Sequence, residues 1–399
     1  MSSANRSRGL AVAALAVAAL LAGCASQSAA EKAAEAEAAR VAAELAARTP
    51  PPISLNQSVA EAASIYVSFT RDMAAMEGGF QNAEAIQAAI RQGTAYDPVQ
   101  LSRGLVAYAS IVALQSPEFV QGVRQYAVDR TTREQLAANI AADPRWASHL
   151  PGADAAAGMI ITTLRGDIDA LSRAANLIEN DAYAIQARYD VRRPWGVAPV
   201  ANREARLAEA KARSTQAMLP SAEDAARLLR AAHSGTGLTV SSTRLREPPY
   251  PPVVEQALAL AALAALGEAG DAARGRTDAL QNETVSQTCL TESKLNLFQC
   301  LAASRPSYED MFCLGRHIVR DLATCTRGAA QPAALIMVTA PEVSAVQPPQ
   351  ITVAPLEQPA PPVRTPVTTA PTPTPAQPPV HSPARPAPSA TERLNTGPG

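Results

Sequence analysis

The sequence predicts an all-α protein: an Ala-rich antiparallel helical bundle, a C-terminal disulfide-linked helical hairpin and a disordered tail. Hydrophobic residues make up 47% of the chain, but many are alanine and only 4% are aromatic, which favours closely packed helices over β-sheets. Apolar residues recur in steps of three and four along much of the chain, as in amphipathic helices. Four of the five cysteines lie in symmetric pairs about one predicted turn, and these pairs predict the hairpin.

The chain begins with a segment typical of an export signal. Arg6 and Arg8 precede an unbroken apolar run over 10–21, and small residues follow it. A helix of this length spans about 18 Å, whereas the hydrocarbon core of a membrane is about 30 Å thick. We therefore expect residues 1–23 to be a removable signal peptide and not a membrane span.

The sequence Leu21-Ala22-Gly23-Cys24 resembles the lipobox of bacterial lipoproteins. The resemblance implies diacylglyceryl transfer to the Cys24 thiol, cleavage before Cys24 and acylation of the new amino terminus. Two or three acyl chains hold a protein firmly on a membrane. Ala25-Ser26 follows, without the aspartate of inner-membrane retention, so the resemblance implies an outer-membrane protein facing the periplasm. The alternative is an ordinary secretory signal followed by an incidental cysteine.

Residues 24–52 are expected to be a spacer between the lipid and the body. The run over 30–48 contains strong helix formers and almost no large apolar side chains, and Glu44 and Arg48 are spaced for an i,i+4 ion pair. Pro50 to Pro52 end this helix, because proline cannot continue the hydrogen-bond ladder.

Helical patterns fill most of the predicted body over 53–328. The first apolar face runs from Leu55 to Met76, and shorter helices are predicted at 82–92, 98–115, 117–128 and 131–142. Asp97-Pro98 and Ser116-Pro117 have the order of an N-cap followed by proline at the first helical position. We expect these helices to pack as an antiparallel bundle.

The longest helix has the clearest pattern. Its predicted buried face consists of Ile161, Leu164, Ile168, Leu171, Ala175, Ile178, Ala182, Ile185 and Tyr189. The acidic pairs Asp167/Asp169 and Glu179/Asp181 are expected on its solvated faces. We interpret it as a buried bundle helix, and the alternative is a self-associating coiled coil.

Further helices are predicted at 202–219, from Ser221 onward and over 253–280. The run from Val253 to Leu266 is the most apolar of the mature chain and predicts a buried helix. Between these helices, residues 233–252 are expected to be irregular, and Leu238 to Leu245 is the only stretch with strand character.

The cysteine hairpin is predicted over 281–328. Cys289 pairs with Cys325, and Cys300 with Cys313, if two antiparallel helices meet at a turn over 305–307, with Ser307 and Asp310 spaced as a capping box. Cys289 and Cys300 lie about 20° apart around a helix, but Cys313 and Cys325 lie about 120° apart. The second helix must therefore bend, unwind near Gly315 or start later. Metal and redox sites are alternatives, disfavoured because no Cys-x-x-Cys pair is present.

Residues 329–399 form a tail of different composition. From Gln331 onward the chain holds 18 of its 33 prolines and no aromatic residue. Such a segment cannot bury enough apolar surface to fold, so we expect a disordered tether with polyproline II character. The alternative is a segment that binds a partner in the periplasm or threads the cell wall.

Motifs that would identify an enzyme are incomplete. His149, His233, His317 and His381 share no helical face, and Ser234 lacks the flanking glycine of a nucleophile elbow. Glu292-Ser293 resembles the catalytic pair of lytic transglycosylases, but the downstream signatures of that family are missing. We therefore predict no catalytic residue, no metal site and no cofactor.

The leading hypothesis is a non-enzymatic structural or adaptor lipoprotein of the cell envelope. Its partners would be the membrane, through the lipid on Cys24, and envelope proteins, through helical faces or the Pro-rich tail. The mature chain has 33 basic and 36 acidic residues, so nucleic acid is not expected as a partner. The alternatives are a peptidoglycan hydrolase or its activator, and a periplasmic carrier of an apolar ligand.

Overall fold

The described part of the chain is helical. A computed structural model describes residues 29–188 and 190–331, and within these ranges it contains no β-strand. The predicted all-α fold is confirmed. The predicted signal peptide, Cys24, Tyr189 and the tail from residue 332 onward lie outside the described residues.

Fifteen α-helices make up most of the described chain. In chain order, α1 to α8 are Ala29–Arg48, Gln57–Ala74, Ala83–Thr94, Pro98–Ala113, Pro117–Arg124, Arg130–Ala142, Ala153–Arg188 and Pro194–Val197. The others, α9 to α15, are Arg203–Arg213, Ala222–Ser234, Pro252–Ala265, Arg274–Leu280, Thr284–Ala303, Ser307–Leu314 and Asp321–Ala330. Three 3₁₀ turns (Gln125–Ala127, Pro144–His149, Asp271–Ala273) and one π-helix (Gly315–Arg320) complete the body.

Side-chain caps fix the starts of several helices. Asp97 accepts a hydrogen bond from the backbone N–H of Gln100, and Ser116 accepts one from Phe119, each just before a proline at the first helical position. Both caps were predicted from the sequence. Each satisfies a backbone donor that the helix itself leaves without a partner.

The core lies among α2, α4, α7 and α11. Every residue from 257 to 266 is fully buried, so α11 is the interior helix that its composition predicts. Small residues let the helices approach closely: a Cβ on Gly104 of α4 would lie 2.5 Å from the backbone oxygen of Ala62 in α2. This close packing is how an Ala-rich chain forms a dense interior with few aromatic residues.

Helix α7 runs through the body with its predicted face buried. The eight described positions of that face, from Ile161 to Ile185, are each at most 4% exposed. Around it lie α2 and α4 on one part of its length and α14, the π-helix and α15 on another. This arrangement is the one expected of a bundle helix.

Residues 238–245, which lie in the segment expected to be irregular, form no strand. Two predicted helices differ from the structure. The predicted helix 253–280 is two helices, since Gly267 adopts a φ of +79° just after α11 and turns the chain. The predicted helix 202–219 ends at Arg213, before the irregular stretch that leads to Pro220.

Candidate functional site

The cysteine hairpin contains two disulfides. Cys289 bonds to Cys325 and Cys300 bonds to Cys313, with Cα–Cα distances of 5.5 and 5.7 Å. These are the two pairs that the sequence predicts. They join α13 to α14 and α15, and so they close the C-terminal end of the body covalently.

The π-helix Gly315–Arg320 resolves the phase difference between Cys313 and Cys325. A turn with i→i+5 hydrogen bonds holds one residue more than an α-turn, which takes up about 100° of the 120° offset. Cys325 therefore faces α13 on the same side as Cys313. Gly315 also permits close contact with α7, because a Cβ there would lie 3.0 Å from the Glu179 side chain.

Asp310 and Ser307 do not form the predicted capping box. Helix α14 has Pro306 as its N-cap and no side-chain cap hydrogen bond. Asp310 is fully buried and forms an ion pair with Arg206 of α9, while Gln87 and Ser304 donate to it at 2.7 and 2.5 Å. The carboxylate thus joins α3, α9 and the hairpin, a role that needs contacts distant in sequence.

Lys294 is a second buried charge beside the hairpin. Its ammonium donates to the backbone oxygens of Tyr96 and Ser214, the latter at 2.8 Å, and lies 4.5 Å from the centre of the Tyr96 ring. Burial lowers the pKa of Lys294 to about 8. Two carbonyls and one aromatic face stabilise this cation within the interior, so its role is structural.

The acidic side chains of α7 are less solvated than predicted. Glu179 is 8% exposed and accepts a hydrogen bond from Arg320 at 2.6 Å, and Asp181 pairs with Arg193 at 2.6 Å. Asp167 is partly buried, and only Asp169 is exposed. The prediction was wrong for three of the four because neighbouring helices and loops cover faces of α7 that periodicity alone leaves open.

A cavity of about 420 Å³ brings Asp167 together with two tyrosines between α2, α4 and α7. Tyr66, Thr70, Tyr108 and Asp167 supply its polar lining, Arg71 lies at its edge, and small apolar side chains complete it. The Tyr66 hydroxyl donates to the Asp167 carboxylate at 3.3 Å, and the Tyr66 and Tyr108 rings stack with centroids 5.8 Å apart. We call this the tyrosine–aspartate cavity.

Burial controls the charges in this cavity. It raises the pKa of Asp167 to about 6, against the smaller opposing effect of the hydrogen bond from Tyr66. Burial also raises the pKa of Tyr108 to about 12, and the Asp167 charge adds to that shift. Arg71 and Arg227 both pair with Asp224, at 3.5 and 2.9 Å, and no ion pair of Asp167 occurs among the described residues.

The tyrosine–aspartate cavity presents one carboxyl group and three hydroxyl groups. Thr70 is 5% exposed, and its hydroxyl has no hydrogen-bond partner among the described residues. The hydroxyl groups of the lining are those of Tyr66, Thr70 and Tyr108, and its one carboxyl is that of Asp167. Sequence reasoning missed this site because Tyr66 fits the core pattern of α2 and Asp167 the polar pattern of α7.

A second concave surface lies on the exterior of the body. Trp146 and His149 of a 3₁₀ turn, Tyr126 and residues of α6 line a groove of about 330 Å³. Trp146 is 49% exposed. We call this surface the aromatic groove.

The remaining candidate residues are dispersed. His233 Nε2 lies 3.2 Å from the backbone nitrogen of Leu55, and His317 Nδ1 lies 3.3 Å from the Asp321 carboxylate. Ser234 belongs to the turn at the end of α10, where Gly235 has a φ of +67°. Glu292 is exposed while Ser293 is buried and donates to the Cys289 carbonyl, so this pair does not face one site.

The described ranges also contain neither a spanning helix nor a metal cluster. Within residues 29–188 and 190–331, no helix combines the length and the apolar character that crossing a membrane requires. The same residues include no group of three or more His, Cys, Asp or Glu side chains that could hold a metal ion. The chain matches no protein-family model, no curated protein and no solved structure.

Proposed function

We propose that this chain is a lipid-anchored protein of the outer membrane, with a helical body that faces the periplasm and acts as a non-enzymatic scaffold or adaptor. The observation that carries the proposal is Leu21-Ala22-Gly23-Cys24, placed directly after a charged start and a short apolar run. An acylated Cys24 would hold the body on the membrane without a spanning helix.

The two disulfides support an oxidising compartment. Disulfides persist in the periplasm and are rare in the cytosol, where thiols are kept reduced. Cys289–Cys325 and Cys300–Cys313 both have Cα–Cα distances that suit a relaxed bridge, and Cys313 and Cys325 are buried. A body crosslinked by two disulfides suits a protein that must keep its shape outside the cytosol.

The buried charges support a scaffold role. Arg206–Asp310 and Lys294 are held by interior contacts and not aimed at a shared cavity. The tyrosine–aspartate cavity offers one carboxyl and hydroxyl groups, which suits binding more than bond cleavage. A rigid helical body with covalently joined end helices can present fixed surfaces to other proteins.

Replacing Cys24 tests the anchor. We would express the wild-type chain, Cys24→Ser and the matched control Ser26→Ala in a Gram-negative host that is fed a clickable palmitate analogue. The wild type and Ser26→Ala should carry the label and sediment with outer membranes, whereas Cys24→Ser should be unlabelled and released from them. Unchanged labelling and sedimentation of Cys24→Ser would refute lipid attachment at this residue.

Crosslinking in living cells tests the adaptor role. The wild-type protein should capture at least one envelope protein that Cys24→Ser captures less, because anchoring sets the distance to partners. Recovery of no envelope protein above background would contradict the adaptor role, even if lipid attachment is present. A clear zone in a peptidoglycan zymogram would likewise contradict the non-enzymatic assignment.

A further inference from the structure

The aromatic groove is a built surface on the outside of the body. Its apolar lining comes from Tyr126, Leu136, Trp146 and Leu150. Its polar lining comes from Thr132, Gln135, Asn139 and His149. A further cavity of about 320 Å³ shares Trp146 and His149 with the groove and is otherwise lined by Asp143 and Arg145. The indole is thus reached from two adjoining concavities, each within the range of about 300–1,000 Å³ typical of ligand pockets.

Two exposed aromatic side chains of the groove lie on two short 3₁₀ turns. Trp146 is 49% exposed and Tyr126 is 36% exposed, although aromatic rings of this size usually bury most of their surface. The 3₁₀ turn that carries Trp146 is capped by Asp143, and its Ala147 and Ser148 are buried where the turn packs on α11. The backbone that carries the exposed indole is therefore anchored on the body.

The groove also holds several uncharged hydrogen-bonding groups without partners. The amides of Gln135 and Asn139, the Tyr126 hydroxyl, the Trp146 indole N–H and the His149 ring make no hydrogen bond to other described residues. Both donors and acceptors are present in this set. They line the same groove as the two aromatic rings, so they are available to a ligand that stacks on those rings.

The groove itself is lined by no Asp, Glu, Lys or Arg side chain. At the edge of the smaller cavity, Arg145 donates to Asp143 at 2.9 and 2.8 Å in a bidentate pair, and Glu255 lies near enough to interact with both charges. A charged ligand in the groove would therefore find no carboxylate, Lys or Arg among the lining residues. A purely apolar ligand would cover the amides and the indole N–H without replacing their bonds to water, which disfavours its binding.

We propose that the aromatic groove binds a neutral oligosaccharide. One face of a sugar ring presents C–H groups with partial positive charge, which stack on the negative face of an indole or phenol ring. The hydroxyl groups around the edge of the sugar both donate and accept, which matches the amides, the indole N–H and the imidazole. This inference goes beyond the proposed scaffold role and does not depend on it, because the groove's chemistry is the same in any compartment.

Fluorescence offers a direct test because the chain has only two tryptophans. In a Trp195→Phe variant of the full chain, purified in detergent micelles, the emission comes from Trp146 alone. We would titrate it with chitotetraose, cellotetraose and maltotetraose. At least one of them should change the emission saturably, with a dissociation constant below about 1 mM.

Calorimetry on otherwise wild-type protein separates stacking from hydrogen bonding. Trp146→Ala should weaken binding of the responsive sugar at least ten-fold, and Trp146→Phe should weaken it less. The loss of affinity in Asn139→Ala should lie between the losses in these two variants. The matched control is Tyr183→Ala, which removes an aromatic side chain that is 51% exposed on α7 and outside the groove. It should leave the affinity unchanged.

Three outcomes would overturn the proposal. One is the absence of a saturable response to all three sugars up to about 10 mM. Another is equal affinity of wild type and Trp146→Ala, when circular dichroism shows that both are folded. The third is equal loss of affinity in Tyr183→Ala, which would assign the effect to general destabilisation and not to the groove.

Discussion

At the scale of single residues, Asp167 has the least ordinary environment of the acids on α7. Its carboxyl accepts a hydrogen bond from the Tyr66 hydroxyl and lines the same cavity as Tyr108 and Arg71. Arg71 is engaged with Asp224, as is Arg227, so neither guanidinium neutralises the buried acid directly. Desolvation therefore dominates, and the protonated form of Asp167 is favoured in the folded protein.

Asp167→Asn should change how stability depends on pH. Because burial raises the pKa of Asp167 to about 6 from an ordinary value of 3.8, the folded state binds this proton more tightly than the unfolded state. The stability contributed by that proton is fully present when the pH is below the ordinary pKa of 3.8, and it is lost as the pH rises through about 6. We therefore expect the melting temperature of Asp167→Asn, relative to that of wild type, to increase as the pH rises from 4 to 7.

Thermal unfolding at a series of pH values checks this prediction. Asp169→Asn is the matched control, because Asp169 lies two residues away on the same helix and is exposed. The difference in melting temperature between Asp169→Asn and wild type should not change over the same pH range. A flat difference for Asp167→Asn would show that the folded protein ionises this acid normally.

Single-residue roles were predicted well where the cause is local. Asp97 and Ser116 cap helices as the sequence predicts, because a cap needs only the backbone three residues ahead. Asp310 looked like part of such a motif, yet it binds Arg206, more than one hundred residues away in the chain. No local pattern distinguishes these two uses of an acidic residue near a helix start.

At the scale of elements, the π-helix aligns Cys313 and Cys325 on the side of the second helix that faces α13. Sequence periodicity shows that Cys313 and Cys325 are out of phase on an α-helix, and it names Gly315 as a place where the helix can unwind. The structure has a π-helix at that point. Arg320 at its end also reaches Glu179 and Asn176 on α7, at 2.6 and 2.7 Å.

Deleting His317 should remove one disulfide selectively. Loss of one residue converts the π-turn to an α-turn and rotates Cys325 away from Cys289 by about 100°. Cys300–Cys313 lies before the deletion and should still form. Thiol titration of the denatured, unreduced protein, in a Cys24→Ser background, should therefore find two free thiols in the deletion variant and none in its parent.

Substitution at the same position provides the control. His317→Ala keeps the residue count and should retain both bridges, although it loses the contact with Asp321. If the deletion variant also has no free thiols, the extra residue does not set the phase of the helix. The turn at Gly267 between α11 and α12 was not predicted, because it depends on close packing against Pro51, which is distant in sequence.

At the scale of the whole molecule, the two disulfides restrict the unfolded chain to different degrees. Cys289–Cys325 spans 36 residues, whereas Cys300–Cys313 spans 13. In the loop-entropy description each contributes about 2–4 kcal/mol, and the longer loop contributes about 1 kcal/mol more. The fold class and the pairing follow from composition and symmetry in the sequence, which are global properties.

Alanine variants of each pair should show this difference in urea unfolding. Cys289→Ala/Cys325→Ala should lose more free energy of unfolding than Cys300→Ala/Cys313→Ala, by about 1 kcal/mol. Alanine avoids an unpartnered hydroxyl at the buried Cys313 and Cys325 positions. After reduction the wild type should approach the variants in stability, and the reverse order of losses would contradict the loop-entropy description.

The position of the bridges has a consequence for how the chain reaches its folded state. Ribosomes make proteins from the amino end, so α1 to α12 exist before the first of the four bonded cysteines. Part of the apolar surface of α11 is covered by α15, so it stays exposed until the last helix of the body has been made. If the chain is exported as proposed, the two disulfides form only in the periplasm, after all four of these cysteines have crossed the membrane.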